Sequence, residues 1–308
     1  MRLLAPKYYK DFHCIADRCR HSCCVGWEID IDSKAMKKYS ELCGEYSDKI
    51  RESIEHTDPP HFRLSECDRC VHLDGRGLCK IIIQCGEDCL CDICREHPRF
   101  YNTTPHGIEV GLGMSCEEAA RIILSSDDYY VIEDIGESDG DFVDFDFNPL
   151  TERSHIFAIL SDASLEYTER LSKIYREYKI SPAVLSDGEW RELLSDLEYL
   201  DDSHRELFAV YSSHIPSCGA LDKLLERALA YFIYRHTSSA QSKGEFLESL
   251  GLALFFERLF ASMIAASEDK SEASSYELCR IISEELEYSL ENTDIIKFEF
   301  SMGQIAEN

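Results

Sequence analysis

Thirteen of the fifteen cysteines in the chain fall between Cys14 and Cys116, and no other feature restricts the fold as strongly. Thiols at this density serve as disulfide staples in an oxidising compartment and as metal ligands or redox groups in a reducing one. The first ten residues, Met1 to Lys10, show no apolar run of signal-peptide length before charged side chains intervene, so a cytoplasmic location is expected. An odd cysteine total also fits a fully paired framework poorly, which leaves metal ligation as the leading explanation. The thiols form two groups in sequence. Cys14, Cys19, Cys23 and Cys24 come first, followed by Cys67, Cys70, Cys79, Cys85, Cys89, Cys91 and Cys94, with Cys116 completing the region. Adjacent cysteines rarely reach one ion, so Cys23 and Cys24 are expected to serve separate roles or different sites. Ser115-Cys-Glu-Glu118 fits a capping box and predicts Cys116 at a helix N-terminus, where the dipole and free amides stabilise a thiolate.

The spacing leaves the metal open. Cys67-x-x-Cys70 and Cys91-x-x-Cys94 approach a zinc-ribbon template, and four thiolates close a tetrahedral zinc site or hold a 4Fe–4S cluster equally well. The three-cysteine signature of radical enzymes, with spacers of three and two residues, is absent. His13, His21, His72 and His97 lie near cysteines and are read as reserves behind them, hydrogen-bonding rather than ligating. Cys43, Cys218 and Cys279 stand apart and are expected as small core residues on helices.

The 308 residues suit one large or two medium domains. With 32 basic and 59 acidic side chains the net charge is −27, which opposes a phosphate-binding surface, so no nucleic-acid partner is expected. The charge is uneven. Residues 1–126 carry 17 basic and 21 acidic groups, and residues 127–308 carry 15 and 38. The chain therefore divides into a Cys-rich metal-binding or iron–sulfur module over 1–126, an acidic linker or short strand over 127–149, and an acidic helical domain over 150–308. Apolar positions three and four apart predict one helix from Ile156 to Tyr178, ended before Pro182. Further helices are expected near 187–200, 203–213, 219–238, 244–266 and 274–291, with Asp222, Lys223, Glu226 and Arg227 on polar faces of the fourth helix in the series. Another helix is expected from Asp32 or Ser33 towards Ile54. Alternation at Trp27–Ile31, Phe142–Phe147 and Ile295–Phe300 predicts short strands, the last two pairing. Leu247–Ala266 is apolar enough to suggest a membrane span, but Glu248, Glu257 and Arg258 interrupt it, so a buried helix and no membrane insertion are expected. The fold class is mainly α: an irregular Cys-rich N-terminal module, then an acidic helical bundle, with a few short strands.

The motifs Phe12-His-Cys14, Cys19, Cys23-Cys24-Val-Gly-Trp-Glu-Ile-Asp-Ile-Asp32, Cys70-Val-His-Leu, Gly77-Leu-Cys79, Cys94-Arg-Glu-His-Pro-Arg99 and Ser115-Cys-Glu-Glu-Ala-Ala-Arg121 together resemble the flagellin lysine-N-methylase family. The resemblance covers about the first 125 residues, which also look like the wider group of zinc- or iron-chelating domains. It implies methyl transfer from S-adenosylmethionine to lysine ε-amino groups of flagellin, with an iron–sulfur cluster of 4Fe–4S type, or zinc as the alternative. By position it implies Cys14, Cys19, Cys23, Cys24, Cys70, Cys79, Cys94 and Cys116 as metal ligands, leaving Cys67, Cys85, Cys89 and Cys91 as additions. Val71 and Glu117 stand where the family pairs cysteine with proline.

No Gly-rich nucleotide-binding turn accompanies these motifs. Gly111-Leu-Gly113 lacks the flanking context and reads as a turn before the Cys116 helix, so any S-adenosylmethionine site is built differently. Methyl transfer also requires a deprotonated lysine, hence a base or a desolvating pocket. His97, Glu96 and Glu28 lie near the motif, each more suited to structural hydrogen bonding, and none is assigned as catalytic. A non-catalytic zinc- or iron-binding interaction module, or a metal storage or delivery protein, is the alternative reading.

Overall fold

The computed structural model describes residues 1–138, 143, 145–214, 219 and 221–306, with the backbone alone at Cys67 and 304–306. The chain forms two compact units. The larger comprises Met1–Phe12, Tyr101–Ser115 and Ala119–Asn308, and the smaller His13–Phe100 with Cys116–Glu118. This partition differs from a division after Ser126. The reason is a parallel pairing invisible to local pattern: strand Arg2–Pro6 lies beside Gly107–Leu112, with Leu3 opposite Ile108 and Leu4 opposite Glu109. Parallel strands need a long connection between them, and here that connection is the cysteine-rich unit itself.

In the larger unit, strands run in the order Arg99–Thr104, Gly107–Leu112, Arg2–Pro6 and Ile132–Glu137, the last pair antiparallel with an irregularity between Leu3 and Leu4. The remainder is helical: Pro149–Leu160, Tyr167–Tyr178, Asp187–Asp196, Arg205–Phe208, Asp222–Thr237, Lys243–Ala266, Glu272–Ile282 continuing as a π-helical turn over Ser283–Glu287, and Leu290–Ala306. The protein is mainly α-helical, as expected. Lys243–Ala266 is the central element, packed against Asp222–Thr237 and Leu290–Ala306. Its length and hydropathy would suit a membrane span, yet 83% of its most apolar stretch is buried inside the protein. Gly251 permits the close packing, because a Cβ there would collide with the Phe300 ring.

Local pattern misleads at three places. The stripe from Ile156 to Tyr178 is two helices, because Ser161–Glu166 forms a turn that closes one and starts the next, with Glu166 N donating to Glu169 Oε2 at 2.9 Å. Ile295–Phe300 is helical, not a strand: Ile296 and Phe300, four apart, are both buried, and Phe300 lies 5.8 Å from Trp190. It therefore does not pair with Phe142–Phe147, part of which lies outside the described residues. The expected 33–54 helix is Ser33–Glu41 and Ser47–Glu52, separated where Gly44 adopts φ 134°.

The acidic composition is partly an interior feature. Glu109, Glu226, Glu257, Glu285 and Glu287 are all buried in the larger unit, so Glu226 is not on a polar face. Glu109 pairs bidentately with Arg153 at 2.6 Å for both bonds, and Glu287 accepts from Tyr231 at 2.8 Å and engages Arg235 and His236. Buried carboxylates persist only when paired in this way.

The smaller unit has short elements: strands Ile29–Asp30, His61–Phe62 and Ile54–Glu55 in that order across a sheet, and helices Ser33–Glu41, Ser47–Glu52, Lys80–Cys85 and Asp92–Glu96. Its core mixes Ile29, Ile31, Tyr39, Ile50, Phe62 and Ile81 with Cys70, Cys89 and Cys91.

Candidate metal centre

Local backbone pairing places the thiols. Val25 bridges Arg69 and Cys70 N donates to Cys24 O at 2.8 Å, so Cys24 and Cys70 lie side by side. Cys79 follows a turn bridged to Leu73 and immediately precedes the Lys80–Cys85 helix. Asp32 connects two segments: one oxygen caps the Ser33–Glu41 helix by accepting from Ala35 N at 2.9 Å, and the other accepts from Asp92 N at 2.8 Å. This holds the Asp92–Glu96 helix, with Cys91 before it and Cys94 within it, against Ile29–Asp30. These five cysteines occupy the core of the smaller unit, where Cys70 and Cys91 are buried and Cys24, Cys79 and Cys94 pack against the same cluster.

A second set lies outside that core. Cys116 directly precedes helix Glu117–Ser125, as expected, although Ser115 Oγ is buried without a hydrogen bond and does not act as the cap. Glu117 instead reaches back to the first cysteine segment: it accepts from Arg20 N and Arg20 Nε, each at 2.8 Å, and from Cys19 Sγ at 3.5 Å. Cys14 and Cys23 are exposed, and Cys19 and Cys116 are half-buried.

The electrostatics link the two sets through the adjacent pair Cys23 and Cys24. The hydrogen bond it donates to Cys24, then burial, then the charges of Cys24, Cys116 and Cys14 push the Cys23 thiol up. Burial raises Cys19 to about 12, with Glu117 and Cys116 adding to it. In the core set, burial raises Cys70 to about 11, helped by Cys24, Cys79 and Cys91, and raises Cys79 with help from Cys24 and Cys91. Cys94 is pushed up by its hydrogen bond with Cys91, then by burial and by Cys24 and Cys70. Cys91 and Cys24 move down as the recipients of these thiol bonds, Cys24 to about 7. Crowded thiols resist simultaneous ionisation, and a bound cation removes that resistance.

The donors fit a thiolate-bound metal: the thirteen described cysteines are all free thiols. Among the described residues, three-way approach of ligand atoms within 4.8 Å occurs only at His204, Glu284 and Glu285. The cysteine sets are thus more open than a tetrahedral zinc–thiolate site, whose sulfurs stand about 3.8 Å apart for bonds of about 2.3 Å. The His204 group is built as a cap, with Glu285 accepting from Leu200 N at 2.7 Å and His204 Nδ1 meeting it at 2.6 Å, while Arg280 binds Glu284 at 2.7 Å.

Other expectations divide. His72 engages Tyr46 Oη at 3.0 Å and Ser53 Oγ at 2.8 Å, a structural role. Burial pushes His97 down to about 4 and leaves its Nε2 without a hydrogen bond. His13, His21 and Glu28 are exposed, and Glu96 meets Arg95 at 3.3 Å. Cys279 is a buried helical residue, but Cys43 is exposed and follows the Ser33–Glu41 helix, contrary to expectation, because the chain turns at Gly44. Cys218 and the Cys67 side chain lie outside the description. Gly113 serves packing: a Cβ there would overlap the Tyr288 hydroxyl and stand 2.9 Å from Arg235 Nη1.

Sequence reasoning missed one concave feature. The larger unit contains a cavity of about 390 Å³ whose lining includes Tyr129, Tyr130, Tyr167, Arg170, Asp222 and Glu226. Tyr129 donates to Glu226. Burial pushes the Glu226 carboxyl up to about 7 against the opposing charge of Arg227, and Arg170 lies 2.9 Å from it. The sole local signal was an acid one turn into a helix otherwise lined by Leu224, Leu225 and Leu229.

No family model matches the chain, and no solved structure matches it. It is 26% identical over 132 residues to proteins named Lysine-N-methylase from Salmonella choleraesuis (strain SC-B67) and Salmonella typhimurium (strain LT2), a stretch covering 40% of this chain and 32% of each relative. A Salmonella muenchen protein named Flagellar biosynthetic protein FliU is 25% identical over 132 residues, covering 40% of this chain and 77% of that protein. The match thus spans about a third of the length of the two lysine methylases, and the chain is a distant relative of proteins bearing lysine-methylase and flagellar names.

Proposed function

We propose that the protein is an iron–sulfur-dependent methyltransferase that moves a methyl group from S-adenosylmethionine to lysine ε-amino groups of flagellin in the cytoplasm. The observation that carries this reading is the placement of Cys14, Cys19, Cys23, Cys24, Cys70, Cys79, Cys94 and Cys116 in one compact unit of a chain whose distant relatives are named lysine methylases. Thiolates in this number suit an iron–sulfur centre, with zinc as the alternative. Such a centre would supply an electron-accepting, Lewis-acidic metal. The chain's own residues must meet the remaining demand, removal of the lysine proton. Glu226, whose carboxyl burial pushes up to about 7 in a tyrosine-lined cavity, is the candidate acceptor of that proton.

Anaerobic purification followed by iron, sulfide and zinc analysis tests the metal, and incubation with methyl-labelled S-adenosylmethionine and flagellin tests the reaction. Iron and sulfide in stoichiometric amounts, with label on flagellin lysines, are expected. Fully metallated protein that leaves flagellin unlabelled would refute the enzymatic reading, and zinc without sulfide would refute the cluster.

A further inference from the structure

We infer that the eight cysteines serve two separate inorganic centres of four thiolates each: an outer one on Cys14, Cys19, Cys23 and Cys116, and an inner one on Cys24, Cys70, Cys79 and Cys94. The inference rests on the proposal that this unit binds metal, and it is independent of methyl transfer. A zinc ion or a 4Fe–4S cluster takes four protein thiolates, so eight exceed what one such centre uses.

The structure sorts these eight by their surroundings. The inner four belong to the hydrophobic core of the smaller unit, and none of the outer four packs into it. Cys24 is held to that core through the backbone bond from Cys70. Its neighbour Cys23 is exposed, and apart from Cys24 its thiol neighbours are Cys116 and Cys14. The adjacent pair is therefore the seam between the sets. Glu117 closes the outer set, since its bonds to Arg20 and Cys19 tie the first cysteine segment to the residue following Cys116. Asp32 closes the inner set by fixing the Asp92–Glu96 helix that carries Cys94. Cys91, which with Cys85 and Cys89 completes the thiols of the core, is hydrogen-bonded to Cys94. The inner set is the less exposed, with Cys70 buried and Cys24, Cys79 and Cys94 half-buried. The outer one has Cys14 and Cys23 exposed and is the centre a ligand can approach.

The test uses the full chain loaded with metal anaerobically, with metal and sulfide per chain measured chemically and any cluster followed by Mössbauer or electron paramagnetic resonance spectra. Cys14→Ser and Cys116→Ser, which lie outside the core, are expected to lose about half the bound metal and one of two spectral components while keeping the other. Cys79→Ser is expected to lose the complementary component. Because that substitution alters the core, a second measurement removes dependence on its folding: wild-type protein challenged with a chelator should release metal in two phases of equal size, the faster one missing in Cys14→Ser. Loss of all metal from either outer variant, or single-phase release from wild type, would overturn the two-centre assignment while leaving metal binding intact. Wild-type protein that binds no metal would instead refute the metal reading beneath it.

Discussion

Replacing Arg153 by Met tests whether the larger unit depends on paired buried charge. Arg153 on the Pro149–Leu160 helix is 6% exposed and Glu109 on the Gly107–Leu112 strand 1% exposed. Three bonds of 2.6 Å converge on the guanidinium, two to Glu109 and one to Ser238 Oγ. Methionine keeps most of the side-chain volume and removes all three, stranding the carboxylate in a dry interior. Breaking one half of a buried pair costs about 3–5 kcal/mol, which for a unit of this size lowers the melting temperature by roughly 6–20 °C. Urea unfolding in a Trp27→Phe background isolates the larger unit, because Trp190, 1% exposed, then becomes the sole tryptophan. The double variant Glu109→Gln, Arg153→Met should recover much of the loss. A single-variant cost under about 1 kcal/mol, or additive costs in the double-mutant cycle, would refute the reasoning.

Gly113→Ala should destabilise the larger unit by about 1–3 kcal/mol, because the added methyl displaces the Tyr288 hydroxyl and Arg235; a neutral result in urea unfolding would show that the close approach is dispensable. The hydrogen bond to Glu285 raises the His204 pKa, so its stabilising charge is complete below about pH 6.5 and fades as pH rises through the folded value. The stability advantage of wild type over His204→Gln should therefore narrow above that pH, and a gap that widens would contradict the assignment. If Glu226 accepts the lysine proton, methyl transfer by wild type should rise with pH through an inflection near 7 to a plateau above it, and Glu226→Gln should be slower by about 10²-fold without that inflection. An unchanged profile in the variant would remove Glu226 from the chemistry.

Much of the helical framework was readable locally. The Lys243–Ala266 and Asp222–Thr237 helices follow from apolar spacing at three and four residues, and the cysteine motifs pointed to metal before any fold was known. The same periodicity failed at Ser161–Glu166, where capping interrupts an unbroken stripe, and at Ile295–Phe300, where short alternation lost to burial of two residues one turn apart.

What the amino-acid order determined alone was chemistry and period: a dense cluster of thiols in the first third of the chain, and helices whose apolar faces recur every few residues. Only the tertiary structure decided which distant groups meet. The parallel pairing of Arg2–Pro6 with Gly107–Leu112, the sorting of Cys23 and Cys24 into different surroundings, and the choice of buried partners for Glu109 and Glu226 join residues far apart in the chain or part residues that adjoin. Local sequence records conformational preference over a turn or two, whereas long-range contacts form only when burial of the whole core offsets the entropy of closing the chain between them.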